Sequence, residues 1–392
     1  MRFLETSTFF KLGGEFEFFA FQKQSLQPVN YDDIQKIFSS LKKRYSLIKE
    51  EGYEIGIEFG GGLKLTMEPG GQLEISTRPH STSLKLLYEL EFALQEILKA
   101  SENSLVFLGH GVHPTAPKDH PIMIKKPRYL SMERYFNSVP QGRGTEMMRF
   151  TASTQVNLDL VAPIKDSIQL VLKILPLTYD LFSNSTQYHG KKIEGCERKK
   201  IWKQTDPSRT GFTKELFLST HPEKTYREFA LNAYVMLAPF EPLYGDVKFK
   251  DWTQYTGSAP TRADWQRHLT TLFPDLRLKR FAEIRTADTQ DFRFSLVPFV
   301  FWETVLKKKS RRIFYHQMMD RLISLYPTWF EQDVFGENIT HLLLAQILEH
   351  QEGGPFENLF RKYLERDRLT HPMDHLLEDP RELYEHLGTK LG

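Results

Sequence analysis

Apolar residues keep two rhythms along this chain. Alternation of period two marks strands at 12–21, 72–76 and 151–160, and a hairpin at 53–59 and 63–67 around Gly60-Gly61-Gly62. Residues 105–108 read as a short buried strand. Helical spacing is clearest in Leu84, Leu87, Leu90, Leu94, Ile97 and Leu98, with Ser81, Thr82 or Ser83 available as a cap. Further helices are predicted at 31–49, with Asn30 or Asp32 near the cap, and at 166–182, kinked or ended near Pro176. Beyond Pro298 the rhythm is helical: 301–308, 312–325, 340–350, 356–366 and 380–387. No Pro/Gly/Ser-rich linker divides this part from the rest. The expected class is α+β, an antiparallel sheet with helices on one side. A domain over 1–300 would carry a helical extension, 301–392, packed on it.

Composition narrows the function. The 392 residues carry a net charge of +2, which gives no electrostatic case for nucleic acid. Hydrophobic residues at 40% and aromatics at 13% are enough for a large core. No apolar run approaches the roughly 20 residues of a membrane helix, so no membrane partner is expected. The single cysteine, Cys196, excludes an intramolecular disulfide and points to a reducing cytoplasm. It reads as an incidental thiol in a polar loop. The first residues, Met1 to Thr6, have neither a signal peptide's apolar run nor a transit peptide's composition. His110, His113 and His120 lack a zinc site's tight spacing and read as loop residues.

The chemistry sits on strand faces. In the segment 13–19, Glu15 and Glu17 point one way and Phe16 and Phe18 the other. After the turn Glu68-Pro69-Gly70-Gly71, residues Gln72, Glu74 and Ser76 share a face, opposite Leu73 and Ile75. Ser153, Gln155, Asn157 and Asp159 share another, and in 277–285 so do Glu283 and Arg285. One Glu-x-Glu strand is ordinarily a solvated sheet face. Four such strands, if they converge, crowd carboxylates into one hollow and raise their pKa values unless cations neutralise them. Hard oxygen donors suit Mg²⁺ or Mn²⁺, which complete their shells with phosphate oxygens and water. Arg285 would supply a fixed cation for a moving phosphoryl group. No Walker-type loop is present, so a nucleotide would have to be held by metal and sheet side chains.

At this point the residues resemble a known family. Glu68-Pro-Gly-Gly-Gln-Leu-Glu74-Ile-Ser is similar to a signature of plant and proteobacterial glutamate–cysteine ligases. In the same order come Pro121-Ile-Met with Arg128-Tyr129 and Met132, then Met147-Met148 with Thr151 and Gln155-Val-Asn-Leu-Asp159. Arg198, Ile201-Trp202, Thr205-Asp206, Arg209 and Gly211 follow, and a long match runs from Asp264 to Asp288. The resemblance covers about 12–300. It implies a glutamine-synthetase-like fold, a curved antiparallel half-funnel with helices outside and metals at its floor. It implies Glu15, Glu17, Glu68, Glu74 and Glu283 as metal ligands or their neighbours, and Gln155, Asn157 and Arg285 on the ATP face. Arg285, Glu283 and Arg198 would be catalytic. Arg198 would receive the α-carboxylate of glutamate, and Trp202 and Asp206 would shape the substrate pocket. The implied reaction joins the γ-carboxylate of glutamate to the amine of cysteine through a γ-glutamyl phosphate. Mg²⁺ or Mn²⁺ is the cofactor and ATP a substrate, in a monomer or homodimer, with glutathione synthesis the default pathway.

Three departures stand out. Phe16 and Phe18 replace the family's usual His and Lys, Thr77-Arg78 replaces a small pair and sets a cation near the site, and Thr286 replaces a Gly. These bear on the acceptor. A carboxylate–amine ligase with another amine or acid, or a non-catalytic binding relative of the fold, therefore also fits. Crowding predicts that Glu74→Gln or Glu283→Gln removes activity with little loss of stability.

Overall fold

The computed structural model describes residues 7, 9–115, 124–211, 213–332, 335, 337–366 and 372–387. His120, residues 121–123 and residues 1–6, all read above, lie outside these. Nine strands form one open sheet: β1 (Lys11–Gln22), β2 (Ser46–Glu50), β3 (Tyr53–Gly60), β4 (Leu63–Met67), β5 (Leu73–Ser76), β6 (Leu105–Leu108), β7 (Ser153–Asp159), β8 (Leu276–Leu278) and β9 (Ala282–Asp288). Their order is β8-β9-β7-β1-β5-β4-β3-β2, with β6 pairing the far half of β1. Every pairing in it is antiparallel, so the α+β reading holds.

The register explains the sidedness. Glu17 pairs with Glu74, Glu15 with both Ser76 and Gln155, and Asn157 with Glu283. Period-two pleating then gives all of them one face. The other face is apolar, with Phe16, Phe18, Leu73, Ile75, Val156, Leu158 and Ile284 buried in one core. The helix Val297–Leu306 packs there, with Phe16 and Phe299 ring centroids 5.0 Å apart. This helix crosses the 300/301 boundary, and the helices Lys309–Leu325, Glu337–His350 and Glu357–Glu365 add residues to the same core. At Gly14 a Cβ would lie 2.7 Å from the Phe299 ring, so the strand needs glycine to seat against that helix.

Five sequence expectations change. The helix begun by an Asn30–Asp33 capping box ends at Leu41, not near 49. Tyr45 and Ile48 keep helical spacing, but left-handed Glu51 and Gly52 (φ +50° and +87°) fold 46–50 back onto β3 as a strand. Thr82 starts the helix Ser83–Ala100 without capping it; Glu303 does so instead, accepting from the Ser83 N–H (2.8 Å) and Oγ (2.6 Å). The single strand expected at 277–285 is a hairpin, β8 and β9. At 380–387 only a short 3-10 turn, Pro380–Tyr384, forms. The helix Ile164–Leu181 continues through Pro176.

Candidate active site

The acid-bearing face is made by β9, β7, β1 and β5. Glu17 accepts from the Ser153 N–H (2.6 Å), the Ser153 hydroxyl (2.9 Å) and Gln155 Nε2 (2.9 Å), so β7 fixes its carboxylate. Asn157 Nδ2 donates to Glu15 at 3.1 Å. Glu74 accepts from Ser76 (2.9 Å) and Thr66 (3.2 Å). Glu68 stands on the turn into β5. That turn is closed by the Glu68 N–H to Gln72 O (2.8 Å) and by Gly71 N–H to Glu68 O (2.9 Å). Gly70 lies so close to the Arg149 backbone that a Cβ would be 2.2 Å from its carbonyl oxygen, and Gln72 Nε2 ties the turn to Thr151 O at 2.8 Å.

Burial and mutual repulsion act on these acids together. Burial pushes Glu68 up to about 7, with Glu17 and Glu15 adding repulsion against the nearby Lys126 and Arg285. Burial, then repulsion from Glu15, Glu68 and Glu17, holds Glu74 well above the usual carboxylate range. Glu15 is raised by burial and by Glu283, and is opposed by Lys279, Asn157 and Arg285. Carboxylates from β1, β5 and the turn before β5 therefore share one field.

Glu283 differs. It is fully buried and ion-pairs Arg277 (3.2 Å), Arg285 (2.6 Å) and Lys279. Although burial opposes ionisation, these three cations together hold its carboxyl far below the usual range. It anchors cations, although its charge still adds to the repulsion on Glu15. Arg285 donates to Glu283 (2.6 Å) and Gln155 Oε1 (2.5 Å) and lies 5.5 Å from the Trp202 ring centroid and 5.9 Å from that of Phe273.

The other expected substrate residues play different parts. Arg198 is 1% exposed; its terminal nitrogens donate to Arg285 O (2.7 Å) and Thr286 O (3.3 Å), Asp288 is 3.9 Å away, and its buried Nε has no hydrogen-bond partner. A group so buried braces the β9 backbone behind Arg285. Asp206 is fully buried and accepts from Arg209 Nε (2.6 Å), the Tyr135 hydroxyl (2.8 Å) and the Ser208 N–H (2.8 Å). Those contacts, against the cost of burial, lower its pKa and make it a structural partner. Trp202 is half-buried and lines a cleft of about 500 Å³ with Tyr179, Lys199, Lys203 and Asp275.

Cys196 is buried, not a loop thiol in solvent. It caps the helix Glu197–Lys203 through the Lys199 N–H (3.4 Å) and lies 3.6 Å from Asp288. Burial pushes its thiol up. His110 and His113 are also buried, hydrogen-bonded to Val112 O (2.6 Å) and the Thr115 N–H (3.3 Å). Phe18 packs on Phe107 and Phe292 in the core, and Arg78 pairs with Glu89. Phe18 thus points away from the acids, whereas Arg78 is engaged by Glu89. Thr286 is buried and bonds Thr178 at 2.6 Å.

Sequence reading missed three cations near the floor. Arg277 and Lys279 flank Glu283, and Lys126 sits under Tyr129, 4.1 Å from its ring centroid, paired with Glu50. The first two stand six and four residues before Glu283 across a hairpin turn, a signal legible only once that hairpin is known.

The donor set fits a hard divalent cation. It consists of carboxylate oxygens short of counter-charge, together with the buried Asn157 Oδ1, which has no hydrogen-bond partner. Among the described residues no three His, Cys, Asp or Glu side chains already stand close enough to hold one.

Comparison with known proteins follows this geometry. The family described as Glutamate-cysteine ligase family 2 (GCS2) matches residues 11–315. Glutamate–cysteine ligase A, chloroplastic, of Oryza sativa subsp. japonica is 34% identical over 312 residues, 76% of this chain and 63% of its own length. The chloroplastic enzyme of Arabidopsis thaliana is 31% identical over 316 residues, 77% and 60% of the two chains. This chain thus spans less than two thirds of these curated relatives. A glutamate–cysteine ligase from Francisella tularensis, solved in complex with AMP, shares the fold at 14% identity, with a TM-score of 0.52 over 92% of this chain and 82% of that one. A match that takes in all nine strands of the sheet, every acid of its floor and Arg285 places this chain in glutamate–cysteine ligase family 2.

Proposed function

We propose that the protein ligates the γ-carboxylate of glutamate to the amine of cysteine at the expense of ATP. The products are γ-glutamylcysteine, ADP and phosphate. The observation that carries this reading is the cluster of Glu15, Glu17, Glu68 and Glu74, short of counter-charge and facing the immobilised Arg285. Family membership and the names of the plant relatives support the same substrates.

Glu15, Glu17, Glu68 and Glu74 would hold Mg²⁺ or Mn²⁺, which when bound neutralises phosphate charge and spreads it during transfer. Gln155 and Asn157 line the nucleotide face. Arg285, clamped by Glu283 and Gln155, presents a fixed cation to the γ-phosphoryl group and needs no reorganisation as charge moves. A carboxylate oxygen of glutamate attacks the γ-phosphorus and ADP leaves. The cysteine amine, having lost a proton, then attacks the acyl carbon, and phosphate leaves as the amide forms. Positioning supplies most of the rate in such transfers. Trp202 borders the acyl pocket, and Arg198 and Asp206 brace its walls from behind.

Another acceptor was motivated by Phe18 and Arg78. With Phe18 in the core and Arg78 on Glu89, that motive lapses. The test is mass spectrometry of the product formed from Mg-ATP, glutamate and an amino-acid mixture. γ-Glutamylcysteine with equimolar ADP is expected. A different γ-glutamyl amide would replace the acceptor. No ADP release, with no Mg-ATP binding in calorimetry, would make the chain a non-catalytic relative.

A further inference from the structure

The three cations on Glu283 are held very differently. Arg277 also donates to Thr270 O at 2.9 Å and lies 5.7 Å from the Phe273 ring centroid. Arg285 is clamped by Gln155 and flanked by Trp202 and Phe273. Their side chains are 11% and 12% exposed. That of Lys279 lies 5.4 Å from the Phe281 ring centroid, yet it is 38% exposed and reaches Glu283 from the β8–β9 turn. Its root is fixed by its own N–H donating to Phe281 O at 2.9 Å. The ammonium rides on a flexible four-carbon stem and carries a compact charge that can be re-aimed, as a guanidinium fork cannot. It pairs with Glu283, and its charge also acts on Glu15, whose strand is joined to that of Glu283 through β7.

We propose that Lys279 is a mobile counter-cation: it neutralises Glu283 and Glu15 in the empty cleft and swings to phosphate oxygens when a nucleoside triphosphate arrives. This rests on the cleft being a metal–nucleotide site. Two consequences of opposite sign follow. While it lies on the acids, the ammonium competes with any divalent ion for the same negative field. Once released, it is itself a phosphate ligand. Removing it therefore helps a lone metal ion and harms a metal-free nucleotide, whereas a merely structural lysine would weaken both.

The test uses the full chain and two binding measurements that do not depend on turnover. Free Mn²⁺ is followed by electron paramagnetic resonance without nucleotide, and ATP by calorimetry in excess chelator. Lys279→Met is expected to bind Mn²⁺ about fivefold tighter and ATP about tenfold weaker than the parent, coupling of ordinary size. Lys279→Arg, whose fork grips a carboxylate more firmly, is expected to bind Mn²⁺ more weakly than the parent, and it carries the test should the Met variant fail to fold. Parent-like or weaker Mn²⁺ binding in Lys279→Met overturns the inference, as does parent-like Mn²⁺ binding in Lys279→Arg. If the unaltered protein binds neither Mn²⁺ nor ATP, the metal–nucleotide reading itself falls, and this inference with it.

Discussion

Arg285 and Glu283, two residues apart on one strand, meet at 2.6 Å on the face that also carries Gln155 and Asn157. The pair separates two kinds of acid in one hollow. Glu283 is surrounded by cations, whereas Glu74 is surrounded by other carboxylates.

Their amides should therefore differ in stability. Glu283→Gln leaves Arg277, Lys279 and Arg285 without their buried partner and is expected to cost about 3 kcal/mol or more. Glu74→Gln removes repulsion and is expected to leave the metal-free protein as stable or more so. Both lose ligase activity. Urea denaturation in chelator checks the signs, and equal destabilisation by the two would contradict the division. The expectation of little loss at both positions thus survives only for Glu74.

The same crowding makes the metal-free protein sensitive to pH. Glu68 binds its proton more tightly folded than unfolded, since its pKa rises from 4.5 to about 7. The folded state thus holds more protons than the unfolded one between those values, and stability falls as pH rises through that window. Melting temperature in chelator should drop from about pH 4.5 to about pH 7, and saturating Mn²⁺ should flatten the slope. A slope unaffected by the metal would remove Glu68 from its site.

Arg198 should behave as a brace. With its guanidinium on the Arg285 and Thr286 carbonyls, Arg198→Ala leaves buried acceptors unpaired and is expected to cost about 2–3 kcal/mol. By loosening Arg285 it should lower kcat with either substrate varied. A selective rise in the glutamate KM, with unchanged melting, would return Arg198 to the substrate pocket.

Cys196 should resist a thiol reagent until the chain unfolds, since burial and Asp288 both disfavour its thiolate. Ellman's reagent with and without denaturant measures this. Rapid labelling of the native protein would show that the helix it caps opens readily.

Much of the sheet could be read from sequence because a strand's period is unambiguous where one face is apolar. Glu15 opposite Phe16, and Glu74 opposite Leu73, each fix a side without any knowledge of the partner strand. Depth could not be read. Arg198 and Trp202 sit one helical turn apart, yet one guanidinium is sealed behind β9 and the indole borders a cleft. Counter-ions were equally hidden. Arg78 looked like a cation aimed at the site until Glu89, eleven residues on along a helix, turned out to hold it. Pairing depends on tertiary approach, which local pattern does not encode.

The contact between Gly14 and Phe299 has a consequence for how the molecule is born. The strand bearing Glu15 and Glu17 is synthesised well before the ring that seats its underside, with the rest of the sheet between them. Until then Phe16 lacks the ring it packs on, although Phe18 can already meet Phe107. In the nascent chain the Phe16 side of the strand stays without that cover while the intervening residues are made, a natural foothold for a chaperone.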